Sequence, residues 1–155
     1  MSPQAKSPVG QTLDSDKMIT LLREAYKEEN LIQMILYAHL IIEHGITQKI
    51  AEKLERPEIL DNEKYGRWTF HEKVSLYVGL INPPKDQEDL LFAYNKLRNQ
   101  IAHRLEDERK YVWKFLPWKG KEKSKPDALT HLLLTTTCLL EDMGVVDVKQ
   151  YFSQE

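Results

Sequence analysis

Apolar residues recur at helical spacing along most of the chain. Met18, Leu21, Leu22 and Ala25 follow an N-cap at Asp14 or Ser15, which predicts a first helix reaching about Glu28. Asn30 caps a second helix that continues to about Leu54, just before Pro57. Between Leu31 and Ile42 this helix is apolar on nearly every side, which places it at the centre of the fold or inside an oligomer. Residues 56–68, with Pro57 and Gly66, read as a connecting loop. Thr69 opens a third helix through Phe70, Val74, Tyr77 and Val78, and Asn82-Pro83-Pro84 breaks the chain after it. Asp86 caps a fourth helix running to about Asp107. Residues 108–126 hold Pro117, Gly120 and Pro126 and predict a long loop that could carry a short strand. Asp127 begins a last helix through Leu129, Leu132, Leu133, Thr136 and Leu140, closed by Gly144, with VVDVKQYF able to add one more turn. The expectation is an all-α bundle of four or five helices, with residues 1–11 a flexible tail and 12–155 one helical domain.

Composition narrows the field of functions. At 155 residues, one domain is the default. The 22 Lys+Arg against 24 Asp+Glu leave a net charge of −2, so nucleic acid cannot be held by bulk charge and would need a local patch. A single cysteine, Cys138, excludes an intrachain disulfide and a multi-cysteine zinc site, and points to a reducing, cytoplasmic setting. Among leucines and threonines it reads as a small core residue. The opening MSPQAKSPVGQ lacks the apolar stretch of a secretion signal. The most apolar window, residues 31–46, is interrupted by Gln33, His39, Glu43 and His44, so no membrane association is expected. No Gly-rich phosphate loop, HExxH or paired-carboxylate motif is present, and neither a metal nor a cofactor is expected.

Residues 86–107 carry the most chemistry. On a helical wheel, Leu90, Ala93, Tyr94, Leu97, Ile101 and Leu105 share an arc of roughly 120°, the expected core face. A second arc of roughly 140° gathers Arg98, Ala102, Asn95, Glu106, Asn99 and His103, with Leu91 and Phe92 beside them. A solvated face would be rich in Lys and Glu. A polar cluster flanked by apolar residues instead suggests a contact between subunits, with Leu91, Phe92 and Asn95 at a dimer interface.

Arginine with histidine suits phosphodiester cleavage. An imidazole titrating near neutrality can move the proton of an attacking hydroxyl, and a guanidinium fork can hold the phosphoryl oxygens as charge accumulates. Arg98 and His103 lie about 140° apart on an ideal helix. One helix does not bring both comfortably onto one phosphate, so two copies around a dyad would supply the shared cleft.

The run Lys96-Leu97-Arg98-Asn99-Gln100-Ile101-Ala102-His103 resembles the Arg-polar-x-His signature of the HEPN superfamily (higher eukaryotes and prokaryotes nucleotide-binding). The preceding Thr69-Phe70-His71-Glu72-Lys73-Val74, with Gly79-Leu80-Ile81, is similar to the helix before that motif in the branch that includes the mannitol operon repressors. The resemblance spans roughly residues 30–106 in helix order. It implies an all-helical, dimeric protein and a metal-independent endoribonuclease acting as a toxin or defence effector. Arg98 and His103 would carry cleavage, Asn99 would be their polar companion, and Glu43 would be the acidic support from an earlier helix. RNA, a second copy of the chain, and an antitoxin or regulatory protein are the implied partners. Some members have lost activity, so the alternative is a regulator resembling the mannitol operon repressors that acts by binding protein or RNA.

Two further clusters complete the reading. His39 and Glu43 stand one helical turn apart and can hydrogen-bond each other inside the bundle. Between Lys110 and Lys125, aromatic rings interleave with lysines, and Trp113, Lys114, Trp118, Lys119 and Lys121 are candidate contacts for single-stranded RNA. The competing account has the rings packing a loop onto the core while the lysines stay solvated.

Overall fold

Asn30, Thr69 and Asp127 each cap a helix as their chemistry requires. Asn30 Oδ1 accepts from the Gln33 amide at 3.1 Å, Thr69 Oγ1 from Glu72 at 3.1 Å, and Asp127 Oδ1 from Thr130 at 2.8 Å. These caps belong to a computed structural model that describes residues 15–103 and 107–145. Among the described residues there are seven α-helices, two short 3₁₀ turns and no strand. The long helices are α1 (Ser15–Lys27), α2 (Leu31–Lys53), α4 (Phe70–Ile81), α5 (Lys85–His103) and α7 (Ala128–Asp142).

The two additional helices correct the sequence expectation. Residues 56–68 are not a plain loop. They contain a 3₁₀ turn at Pro57–Leu60 and a one-turn helix α3 (Asn62–Tyr65), tied together by Arg56 donating to Glu58 at 2.8 Å and by Trp68 Nε1 donating to the Ile59 carbonyl at 3.2 Å. The expected long loop after residue 107 holds α6 (Glu108–Phe115), capped by Asp107, whose Oδ1 accepts from Arg109 N at 3.1 Å. Tyr111, Val112 and Leu116 give α6 a buried edge, and Pro117 stops it. The fourth long helix also begins one residue earlier than its expected cap. The Pro84 carbonyl accepts from Gln87 and Glu88, and Asp86 lies in the first turn, where a carboxylate faces the positive end of the helix dipole. Residues 1–11, and VVDVKQYF beyond Val145, lie outside the described residues.

α2 is the central element, packed against α1, α4, α5, α6 and α7. Met34, Ile35, Ile41, Ile42, Ile46 and Ile50 are fully buried along it. Yet Ile32, Leu36 and Leu40 remain 42%, 41% and 46% exposed, an apolar stripe at i, i+4, i+8. No described helix is long and apolar enough to cross a membrane.

Turns fix the helix directions. Gly144, at φ +70°, closes α7. Its amide donates to Glu141, and that of Val145 donates to Leu140, which seats Val145 against Gly45 of α2. A Cβ on Gly45 would lie 2.8 Å from Val145 Cγ2. At the end of α1 the same left-handed position is held by Glu29, at φ +55°. Between α4 and α5, Asn82 is left-handed at φ 51°, and Pro83 and Pro84 follow it directly.

The core also holds a polar relay. Thr136 Oγ1 donates to the Leu132 carbonyl at 2.7 Å, which commits its only proton, so the buried Tyr94 hydroxyl donates to Thr136 at 2.6 Å.

Candidate functional site

α5 packs against α2, α4 and α6. Leu91, Tyr94 and Leu97 are fully buried, with Leu90, Ala93 and Ile101 at the margins. The core face therefore keeps Tyr94 and Leu97 of the expected arc and extends beyond it to Leu91. Leu91 cannot lie at a dimer contact, because it is a core residue of the monomer. The helix is covered from several directions, so its buried arc is broader than that of a one-sided amphipathic helix. Phe92 is partly buried, with its ring 5.3 Å from that of His71, and Asn95 is half-buried.

Arg98 and Asn99 are exposed. Arg98 makes no hydrogen bond or ion pair with the described residues. The backbone of His103 closes α5, and its side chain lies outside what is described.

Beside Arg98 stands a cluster from α2 and α4. His39 is 3% exposed, and its ring centroid is 4.2 Å from that of Phe70. Burial, and next the Arg98 guanidinium, hold its pKa down to about 4, against the opposing pull of Glu43. His39 is thus a neutral imidazole at neutral pH, and its Nε2 has no hydrogen-bond partner among the described residues. The expected His39–Glu43 hydrogen bond is absent, since Nδ1 and Oε2 are 3.9 Å apart. Glu43 instead accepts from Lys73 Nζ of α4 at 3.1 Å. Burial, followed by Lys73, also lowers the pKa of His44. Lys73 is the functional candidate that the sequence reading missed. It occupies the i+3 position of the Phe70, Val74, Tyr77 stripe, where a charge has to find a partner, and that placement was a readable signal.

The aromatic and lysine residues divide between two roles. Trp113 stacks on His131 at 4.8 Å, and the Lys125 ammonium stands 4.3 Å from its ring centroid, so its ring is already engaged. His131 Nε2 donates to the Leu116 carbonyl at 2.7 Å, pinning the end of α6 to α7. Lys114, Lys119 and Lys121 are exposed. Trp118 and Lys119 join Phe115, Asp86, Asp89 and Leu90 in lining a cavity of about 430 Å³ between α5 and α7. A smaller depression of about 260 Å³, lined by Lys96, Asn99, Gln100 and Phe115, shares the Phe115 ring with it. Phe115 thereby links the aromatic segment to Asn99 of the motif.

Cys138 is corrected outright. It is exposed on α7, four residues after the exposed Leu134, and burial with the Asp142 and Glu141 carboxylates pushes its thiol pKa up, away from nucleophilic use. Compared with known proteins, the chain matches no family model, no curated protein and no solved structure.

Proposed function

We propose that this protein is a metal-independent endoribonuclease of the HEPN type, a toxin or defence effector that works as a homodimer. The observation that carries this reading is the guanidinium of Arg98, exposed and without any ion-pair partner among the described residues. Open beside Asn99, it is available to a phosphate.

In this reading a ribose 2′-hydroxyl attacks the adjacent phosphorus and the P–O5′ bond breaks, leaving a cyclic phosphate and a 5′-hydroxyl. His103 serves the proton transfers, and Arg98 stabilises the charge on the phosphoryl oxygens. Lys73 and Glu43 support the site from α4 and α2. The stripe of Ile32, Leu36 and Leu40 reaches Glu43 one turn later and offers apolar surface for a second copy to cover. Phe92 and Asn95 are the α5 residues left for that contact.

The test is incubation of purified protein with total RNA in excess chelator, comparing wild type with Arg98→Ala and His103→Ala. Cleavage by wild type alone supports the assignment, and cleavage by all three removes it. RNA left intact by the wild type would move the reading to the inactive regulator.

A further inference from the structure

The cavity between α5 and α7 opens on the opposite side of α5 from Arg98. Asp86, Asp89, Leu90 and Ala93 fall between about 180° and 280° from Arg98 on an ideal helix. Its size lies in the range of small-molecule sites, and its walls are mostly apolar, with the exposed Asp86, Asp89 and Lys119 as its charged lining residues.

One wall is built in advance. Trp118 Nε1 donates to the Lys121 carbonyl at 2.9 Å, and the indole meets His131 edge-on at 5.7 Å. The ring lies directly over Gly120, where a Cβ would stand 2.5 Å from it, so a larger residue there would push the ring aside. A ligand entering here meets a flat aromatic surface whose ordering cost is already met.

The rim chemistry selects the ligand. Asp86 makes no hydrogen bond or ion pair with the described residues, whereas Asp89 is held by Lys85 Nζ at 3.0 Å. Lys85 neutralises Asp89, and Lys119 brings a further positive charge to the lining, so the cavity has no net negative charge to draw a cation. What remains is a pair of acceptor oxygens next to a flat wall, and a carboxylate can only accept. The matching group is a planar ring with two adjacent N–H donors on one edge. Among the nucleobases only guanine has that edge, through N1–H and N2–H. Adenine and cytosine set a donor beside an acceptor, and the uracil N–H is flanked by two carbonyls.

We propose that this cavity binds a guanine base, stacked on Trp118 and donating its N1–H and N2–H to the Asp86 carboxylate. The inference goes beyond RNA cleavage and does not depend on it, because binding is read without turnover. The guanine can come from a free nucleotide or from a base in a strand, and the two sources are separable.

Guanosine, adenosine, cytidine and uridine monophosphates are titrated by calorimetry, alongside a 2′-O-methyl oligouridylate with and without one guanine. Guanosine monophosphate is expected to bind at least about tenfold more tightly than the other three, the scale of one bidentate base contact. Asp86→Asn should erase that preference. Gly120→Ala should displace the Trp118 ring and weaken all four nucleotides together, with helical circular dichroism retained. If only the free nucleotide binds, the site serves a small molecule; if the single guanine tightens the oligomer, it reads a strand. Equal affinity for all four bases, or a preference that survives Asp86→Asn, would overturn the proposal, whether or not RNA is cleaved.

Discussion

The Lys73 ammonium of α4 donates to the Glu43 carboxylate of α2 at 3.1 Å, and their side chains are 9% and 27% exposed. A cation that deep needs its counter-charge more than the surface end of the pair does. Glu43→Ala is expected to lower unfolding free energy by about 3 kcal/mol, at the low end for a broken buried pair because the carboxylate is partly solvated. Lys73→Met, which removes the charge itself, is expected to cost less. Urea denaturation of the two variants tests the order, and a larger loss in Lys73→Met would refute it.

His39 makes folding sensitive to acid. Its folded pKa is about 4, below the ordinary 6.5, so the unfolded chain binds the proton more readily. The sign follows: stability is at its full value above pH 6.5 and is lost as pH falls toward 4, by roughly 3 kcal/mol in all. His39→Gln should flatten the slope of stability between pH 6.5 and 5, where most carboxylates have yet to titrate. An unchanged slope in that variant would show that the imidazole does not control it.

Arg98 bears on the same ring. Arg98→Ala is expected to move the His39 titration upward, toward but not reaching its ordinary value, because burial is the larger cause. Proton NMR of the imidazole reads this directly. The same variant is expected to lose RNA cleavage while keeping its helical circular dichroism.

Glu29 occupies a left-handed position at the end of α1 that glycine takes without steric cost. Glu29→Gly is therefore expected to stabilise the fold by about 0.5–1 kcal/mol, net of the added freedom of the unfolded chain. A thermal melt that moves downward would show that the Glu29 side chain contributes more than its backbone strain costs.

Leu40 tests the proposed assembly. Its side chain is 46% exposed, so Leu40→Glu should change monomer stability by no more than about 0.5 kcal/mol. Sedimentation should show wild type as a dimer and Leu40→Glu as a monomer. Identical sedimentation of the two would exclude this face from the contact.

Much of the fold could be read from local chemistry. Asn30, Thr69, Asp127 and Gly144 act within one turn of themselves, and each sits where its side chain or backbone freedom predicts. α6 escaped because its lysines and aromatics suggested a surface loop, although Tyr111, Val112 and Leu116 bury one edge. Leu91 was misplaced for a different reason. A wheel drawn for one helix cannot know how many neighbours cover it, and α5 has α2, α4 and α6 around it. The nearness of Arg98 to His39 spans helices far apart in sequence and depends on tertiary packing alone. Lys73 stood between those cases, visible as a charge on an apolar stripe, with its partner Glu43 hidden until the helices met.

The short joint of Asn82, Pro83 and Pro84 has a consequence for the two cations. Each proline ring freezes one backbone rotation and leaves no amide to re-pair, so α4 and α5 are coupled like two arms of a welded bracket. Lys73 and Arg98 are carried on its two arms, on α4 and α5. Lys73 therefore stays turned to Glu43 within the fold, while Arg98 is left at the surface.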